Sequence, residues 1–203
     1  VANDAYENNL WINQKDGTFV DDAAILGVSL NLNGQKEAGM GVIAADVDGN
    51  SSTDLFVTHL DMESNTFYRN LGEQMGFMDN SGISGLGPSS MNYTGFGVVA
   101  FDLELDGDLD LFVANGRVLR VRDSLAGDDP YAEPDQLFRG LGGVRFSEVS
   151  PHGGLDSELQ YTGRGVAFGD LDDDGDFDIW MKNYNSFNDR ILINQGVNAQ
   201  GIP

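Results

Sequence analysis

Short apolar runs of four to six residues recur along the chain, each bounded by Gly, Asn or Asp. Val, Ile, Phe, Tyr and Trp dominate them, which predicts β-strands. Three stretches align without a gap: GMGVIAADVDGNSSTDLFV from Gly39, GFGVVAFDLELDGDLDLFV from Gly95 and GRGVAFGDLDDDGDFDIWM from Gly163. Each holds Gly-x-Gly, a small apolar run, an acidic nonapeptide and an apolar triplet. A second unit follows each one: NTFYRN at 65–70, DQLFRG at 135–140 and DRILIN at 189–194. The same unit precedes the first window as NNLWIN at 8–13. A glycine-containing turn and a phenylalanine come next, at Phe19, Phe77 and Phe146.

The repeat spacing is 56 residues and then 68, the excess lying mainly in an insertion at 116–134. Four strands per repeat are predicted: the Gly-Val strand, the strand after the acidic loop (Leu55 to Thr58 in the first repeat), the NTFYRN-type strand and the strand around the phenylalanine. The expected fold is all-β, with blades of four antiparallel strands as in a β-propeller. The chain then reads as one repeat region, 1–203. It holds a partial blade at 1–30, blades at 39–86 and 95–155, and a partial blade at 163–203, about three and a half blades in all. A blade buries its faces only against neighbours, so either the chain is a piece of a longer protein or its part-propeller covers its exposed faces by self-association that completes the propeller. In the second case the leading half-blade is a candidate to complete the trailing one, in this chain or a neighbour.

Charge sharpens this picture. The net charge is −22, from 33 acids against 11 Lys and Arg. Such a surface excludes nucleic acid, whose phosphates need a basic face. No run of 18 apolar residues is present, so no membrane insertion is expected. There is no initiator Met or signal-type start, so the chain is expected to be a processed product or an excerpt. Cysteine is absent, which removes disulfides, thiol nucleophiles and cysteine zinc sites. Fourteen of the acids fall in the windows 46–54, 102–110 and 170–178. Packing them so densely raises local repulsion, which a bound cation relieves.

The spacing suits calcium, a hard ion that takes six to eight oxygens. Carboxylates at loop positions 1, 3 and 5 converge if the backbone wraps the ion, a glycine at 6 permits the sharp turn, position 7 offers its carbonyl, and an aspartate at 9 closes the cage. The predicted ligands are Asp46, Asp48, Asn50, Ser52 and Asp54; Asp102, Glu104, Asp106, Asp108 and Asp110; and Asp170, Asp172, Asp174, Asp176 and Asp178. Up to three Ca2+ ions are expected, one per loop. An EF-hand needs Glu at position 12 and helical flanks. Val57, Val113 and Met181 stand there, and the flanks are β-type. Oxygen-only ligands argue against zinc and copper. The first loop, with Asn50 at position 5 and Ser51 at position 6, is expected to bind most weakly.

Asp-x-Asp-x-Asp-Gly-x-x-Asp behind a glycine-rich strand resembles the FG-GAP or VCBS repeat of integrin α-chain propellers and bacterial secreted proteins. The segments GRGVAFGDLDDDGDFDIW, NTFYRN and DQLFRG, and ANGRVL before a long insertion, are similar to the cartilage acidic protein and ASPIC/UnbV branch. The resemblance implies a seven- or eight-bladed propeller when complete, calcium loops on one rim, an extracellular or periplasmic setting, and adhesion or ligand binding. It also implies a UnbV-type segment after the last blade, before which the present sequence stops.

Other candidates are weaker. Catalysis is not expected, because the metal loops already account for the paired carboxylates that a polysaccharide-cleaving enzyme would use. His59 and His152 lack metal-ligand spacing and read as surface or satisfied residues. Ser84-Gly-Leu-Gly reads as a loop with no helix after it. Trp11 and Trp180 read as strand-core residues. The insertion carries Arg117, Arg120 and Arg122, either paired with local acids or forming a surface for an acidic glycan or a protein ligand.

Overall fold

The computed structural model describes residues 1–119, 129–149, 160–184 and 189–196. Arg120, Arg122 and His152, and with them part of the 116–134 insertion, lie outside the described residues.

The fold is all-β, in four antiparallel sheets. A hairpin of β1 (Trp11–Asn13) and β2 (Phe19–Asp21) opens the chain. Next comes a meander of β3 (Val42–Ala45), β4 (Asp54–Val57), β5 (Thr66–Asn70) and β6 (Phe77–Asp79). The second four-stranded meander is β7 (Gly95–Phe101), β8 (Asp110–Asn115), β9 (Gln136–Gly140) and β10 (Phe146–Glu148). The last sheet is β11 (Gly163–Gly169), β12 (Asp178–Asn183) and β13 (Arg190–Leu192). Each aligned window is thus a hairpin whose turn is the acidic nonapeptide. Matching registers, Ile43↔Phe56, Val99↔Phe112 and Ala167↔Trp180, keep the repeats superposable.

Among the described residues three single-turn helices depart from the all-strand reading: α1 (Ala23–Leu26), α2 (Ser81–Ser84) and α3 (Leu86–Ser90). They follow fourth strands, where apolar periodicity is too short to show a helix. Asp79 Oδ1 accepts the Ser81 N–H at 2.9 Å, and left-handed Gly27 and Gly85 end α1 and α2. The Ser84-Gly-Leu-Gly segment therefore spans a helix–helix junction, and a helix does follow it.

The core lies between sheets. In a strand the side chains alternate between faces. The forward face of the first meander (Phe56, Phe67) packs on the rear face of the second (Val98, Leu111, Val113, Phe138). The forward face of the second (Val99, Phe112, Leu137) packs in turn on the rear face of the third sheet (Val166, Ile179, Met181, Leu192). A smaller cluster joins Ala23, Val28 and Leu10 of the leading segment to Val57 and Tyr68. This face-to-face stacking of meanders is propeller-like.

The second glycine of each Gly-x-Gly sets the spacing of the inner strands. A Cβ on Gly41 would stand 2.0 Å from the Phe96 carbonyl oxygen, and one on Gly97 2.8 Å from the Val166 nitrogen. Thr58 Oγ1 completes the first junction by donating to that Phe96 carbonyl at 2.9 Å. Gly41→Ala is expected to lower stability by about 1–3 kcal/mol, as overpacking does. Gly82→Ala, whose added methyl meets nothing within 4 Å, is expected to leave it unchanged or slightly raised. Urea midpoints of the two variants compare them directly.

Candidate metal centre

Each loop hangs from its ninth residue, an aspartate at the start of the second strand. Asp54, Asp110 and Asp178 are buried, and a buried carboxylate needs donors. Both oxygens of each find backbone N–H groups. One oxygen accepts from loop position 2: Val47 at 3.0 Å, Leu103 at 2.8 Å and Leu171 at 2.8 Å. The other accepts from the end of the third-strand unit: Asn70 at 2.7 Å, Gly140 at 2.8 Å and Asn194 at 2.8 Å. This residue therefore ties loop to sheet.

The first residue winds the loop. Asp46 accepts the N–H of Asn50 at 3.0 Å and of Ser51 at 2.9 Å. Asp102 holds Asp106 and Gly107, both at 2.9 Å. Asp170 holds Asp174 and Gly175, both at 3.1 Å. Position 5 then accepts the N–H of position 7: Asn50 from Ser52 at 2.7 Å, Asp106 from Asp108 at 3.0 Å, Asp174 from Asp176 at 3.0 Å. Positions 4 and 6 are left-handed in all three loops: Gly49 and Ser51, Leu105 and Gly107, Asp173 and Gly175. Three different sequences thus share one backbone path.

The carboxylates converge unequally. Oxygens of Asp46, Asp48 and Asp54 lie within 4.8 Å of one another, as do those of Asp170, Asp172 and Asp174. Among the described residues the loop at 102–110 makes no such group. Its position 3 carboxylate, Glu104, turns instead to Arg139 on β9, which also approaches Asp106 at 3.4 Å. Arg69, at the matching place on β5, pairs with Asp48. The third unit has Ile193 in that place, so the loop with six acids gets no arginine from it. Loss of hydration, then the charges of Asp174 and Asp178, raise the Asp172 carboxyl. The clustered donors are all carboxylate oxygens, the set that suits a hard divalent cation.

Sequence reasoning missed Arg69 and Arg139. Their signal was visible in the units NTFYRN and DQLFRG set against DRILIN. The carbonyls of Ser52, Asp108 and Asp176, predicted at position 7, sit on the turn that the position 5 side chain braces.

The opposite ends of the strands carry a second polar set. Arg117 Nε meets Glu133 at 3.0 Å, and Arg190 meets Asp135 at 3.5 Å. Arg117 thus pairs with a local acid. His59, rather than lying on the surface, is buried, with Nδ1 at 3.0 Å from the Ser64 carbonyl. That contact assigns the proton to Nδ1 in the neutral ring. Nε2 has no hydrogen-bond partner and faces Glu37 at 3.6 Å.

Residues 46–113 match the family profile of the FG-GAP-like repeat. The match begins on the first ligand position of one loop and ends on the apolar triplet after the next. It takes in both loops that carry an arginine. No curated protein matches the chain.

Two outcomes follow from this geometry. A left-handed side chain other than glycine costs about 1–2 kcal/mol. Ser51→Gly is therefore expected to raise the thermal midpoint in chelator, by roughly 1 kcal/mol of stability. The second concerns pH. Burial pushes Asp110, Glu133 and Asp135 each up to about 7. In the unfolded chain they titrate near ordinary carboxylate values, so between about pH 4 and pH 7 the folded state binds more protons. Their contribution to stability accordingly falls as pH rises through that window. His59, lowered to about 4 by burial, acts oppositely below about pH 6.5, one group against three. Urea titrations in chelator are expected to show lower stability at pH 8 than at pH 5, by on the order of a few kcal/mol.

Proposed function

We propose that this chain is a calcium-binding, non-catalytic repeat protein of the cartilage acidic protein and ASPIC/UnbV branch, working outside the cytoplasm in adhesion or ligand binding. The observation that carries the calcium reading is the pair of all-oxygen clusters, Asp46/Asp48/Asp54 and Asp170/Asp172/Asp174, one inside an FG-GAP-like repeat and one on the same backbone path beyond it. Calcium held there would replace internal repulsion with attraction and stiffen the turn between the first two strands. Because it binds the folded loop, it stabilises the fold by mass action. Up to three ions are proposed, held by the ligand sets predicted for each loop.

Arg69 and Arg139 make the loops unequal. Each already places one positive charge beside a position 3 carboxylate, and a metal must compete with it. The loop at 170–178 has more acids and Ile193 in the arginine's place, so it is the tightest site. The loop at 46–54 has the fewest carboxylates and is the weakest.

An extracellular or periplasmic setting agrees with exposed, modest sites that fill at millimolar calcium. It also agrees with the extracellular habit of FG-GAP repeats. No helix among the described residues is long and apolar enough to cross a membrane. A protein or glycan is the proposed ligand class.

Calorimetric titration with calcium, alongside thermal melts in calcium, magnesium and chelator, tests the reading. Calcium is expected to raise the midpoint by several degrees and magnesium by less. Asp172→Asn is expected to remove the tightest phase, and Arg139→Gln to strengthen the phase assigned to 102–110. An identical melt with calcium and with chelator would remove the metal from this proposal.

A further inference from the structure

At the ends of the strands opposite the acidic loops, the segment before β3 and the β4–β5 loop enclose a cleft of about 390 Å³. It lies apart from the strands on which Trp11 and Trp180 stand exposed rather than in the core. Glu37 and Glu63 line it, with Asn31, Ser64, Met62 and Met91. Both carboxylates are held in place. Glu37 accepts from Asn31 at 2.8 Å and Thr66 at 3.0 Å, and Glu63 Oε2 accepts the Ala38 N–H at 2.8 Å. Lys36 also borders the cleft, but its ammonium pairs with Glu7 at 3.4 Å and sits 5.9 Å from the Tyr6 ring centre. His59 does not relieve the charge. Its ring is buried, Nδ1–H goes to the Ser64 carbonyl, and Nε2 presents a lone pair to Glu37 Oε2 at 3.6 Å. Two acceptors thus face each other with no donor between them. Burial keeps His59 neutral, lowering it to about 4, and raises Glu37. Met62, beside Glu63, is left-handed at φ 69°, a strained backbone of the kind found at ligand clamps.

The second repeat shows what this arrangement lacks. His59 and Asn115 stand at the same place, and each donates its N–H to the first residue of the next unit, Asn65 and Asp135, at 3.0 Å. Two residues before those lie Glu63 and Glu133. Glu133 Oε2 accepts the Thr94 N–H at 2.9 Å, as Glu63 Oε2 accepts that of Ala38. The other oxygen of Glu133 meets Arg117 Nε at 3.0 Å. At the place of Arg117 the first repeat has Asp61. Among the described residues Glu63 forms no ion pair. One repeat therefore carries its own guanidinium, whereas the other has an acid in its place and an open cleft.

We propose that this cleft takes the guanidinium of an arginine side chain presented by a protein partner. The guanidinium supplies the positive charge and the N–H donors that Glu37 and Glu63 lack, as Arg117 does for Glu133. Methionine gives a polarizable, adaptable contact at binding surfaces. A flat, weakly hydrated guanidinium suits that contact better than a compact ammonium. The ligand class proposed above thereby narrows to a protein, on the ligand-binding reading alone and without calcium.

Methionine methyl NMR on the whole chain in chelator tests this, with Nα-acetylarginine amide as the probe. The methyl signals of Met62 and Met91 are expected to shift saturably. Those of Met75 and Met78, exposed before and on β6, are expected to stay. The citrulline analogue, of the same shape without the charge, is expected to bind about tenfold more weakly or not at all. Glu63→Gln, which keeps an acceptor for the Ala38 N–H, is expected to lose the shifts. Asp61→Arg, which copies Arg117, is expected to fill the cleft from within and block the probe, with circular dichroism unchanged. Unmoved Met62 and Met91 signals overturn the proposal. So does citrulline binding equal to arginine's, a lysine analogue that binds more tightly, or an Asp61→Arg chain that binds as before. Free arginine binding more tightly than the blocked amide overturns the protein source. Repeating the titration in calcium separates this cleft from the acidic loops. The shifts are expected to be the same there, and calcium that displaces the probe from Met62 and Met91 overturns the organic ligand.

Discussion

The buried carboxylate at the ninth loop position is the interaction on which the rest of the structure depends. Asp54, Asp110 and Asp178 each spend both oxygens on backbone N–H groups, one in the loop and one at the end of the third strand. A buried carboxylate without donors costs several kcal/mol, so these N–H groups and this side chain require one another. The bridge fixes the loop against the sheet before any question of an ion arises. The aspartate predicted as a ligand is thus also the fastener of the site. In the first loop Asp54 does both, since its carboxylate also belongs to the oxygen cluster there.

From that fastener the blades follow as a chain of consequences. The loop sets the turn, the turn sets the register of the first hairpin, and the register decides which residues face forward. Phe56 and Phe112 then meet rear faces whose valines lie beside a glycine. Without the glycine the inner strands could not approach, because the carbonyl of the next strand already occupies the place of a Cβ. Acidic loop and sheet junction lie on the same hairpin, so stiffening one end of it constrains the packing at the other.

Much of this was legible in the sequence. The strands fell where alternation and the aligned windows placed them, because each repeat spells its hairpin nearly alike. The fourth-strand phenylalanines Phe77 and Phe146 lie on β6 and β10. The one-turn helices were not legible: α2 and α3 rest on serine hydroxyls and left-handed Gly85, too short for any periodicity. Trp180 was read as core from its strand context, and its exposure shows why that inference fails on a face that no other described sheet covers. Burial of a blade residue is decided by the neighbouring blade and not by its own strand. Of the two readings of His59, surface or satisfied, the structure gives a buried ring with Nδ1 on the Ser64 carbonyl; a lone polar residue after an apolar triplet gives no sign that the chain folds over it.

The site was legible as a ligand pattern and not as a charge balance. Counting acids ranks the loops, yet the arginines of the third-strand unit change what the count means. Arg69 and Arg139 reach back across the sheet to position 3 of their own loops, a distance of 21 and 35 residues along the chain. A tethered guanidinium lies permanently beside its carboxylate, so it lowers local repulsion whatever the calcium concentration. A free ion does so only when bound. Two loops are therefore partly neutralised by the protein itself, whereas the third, with Ile193 where the others have arginine, relies far more on its surroundings. On this reading dependence on the metal is concentrated at 170–178, the loop next to the sheet whose forward face is uncovered.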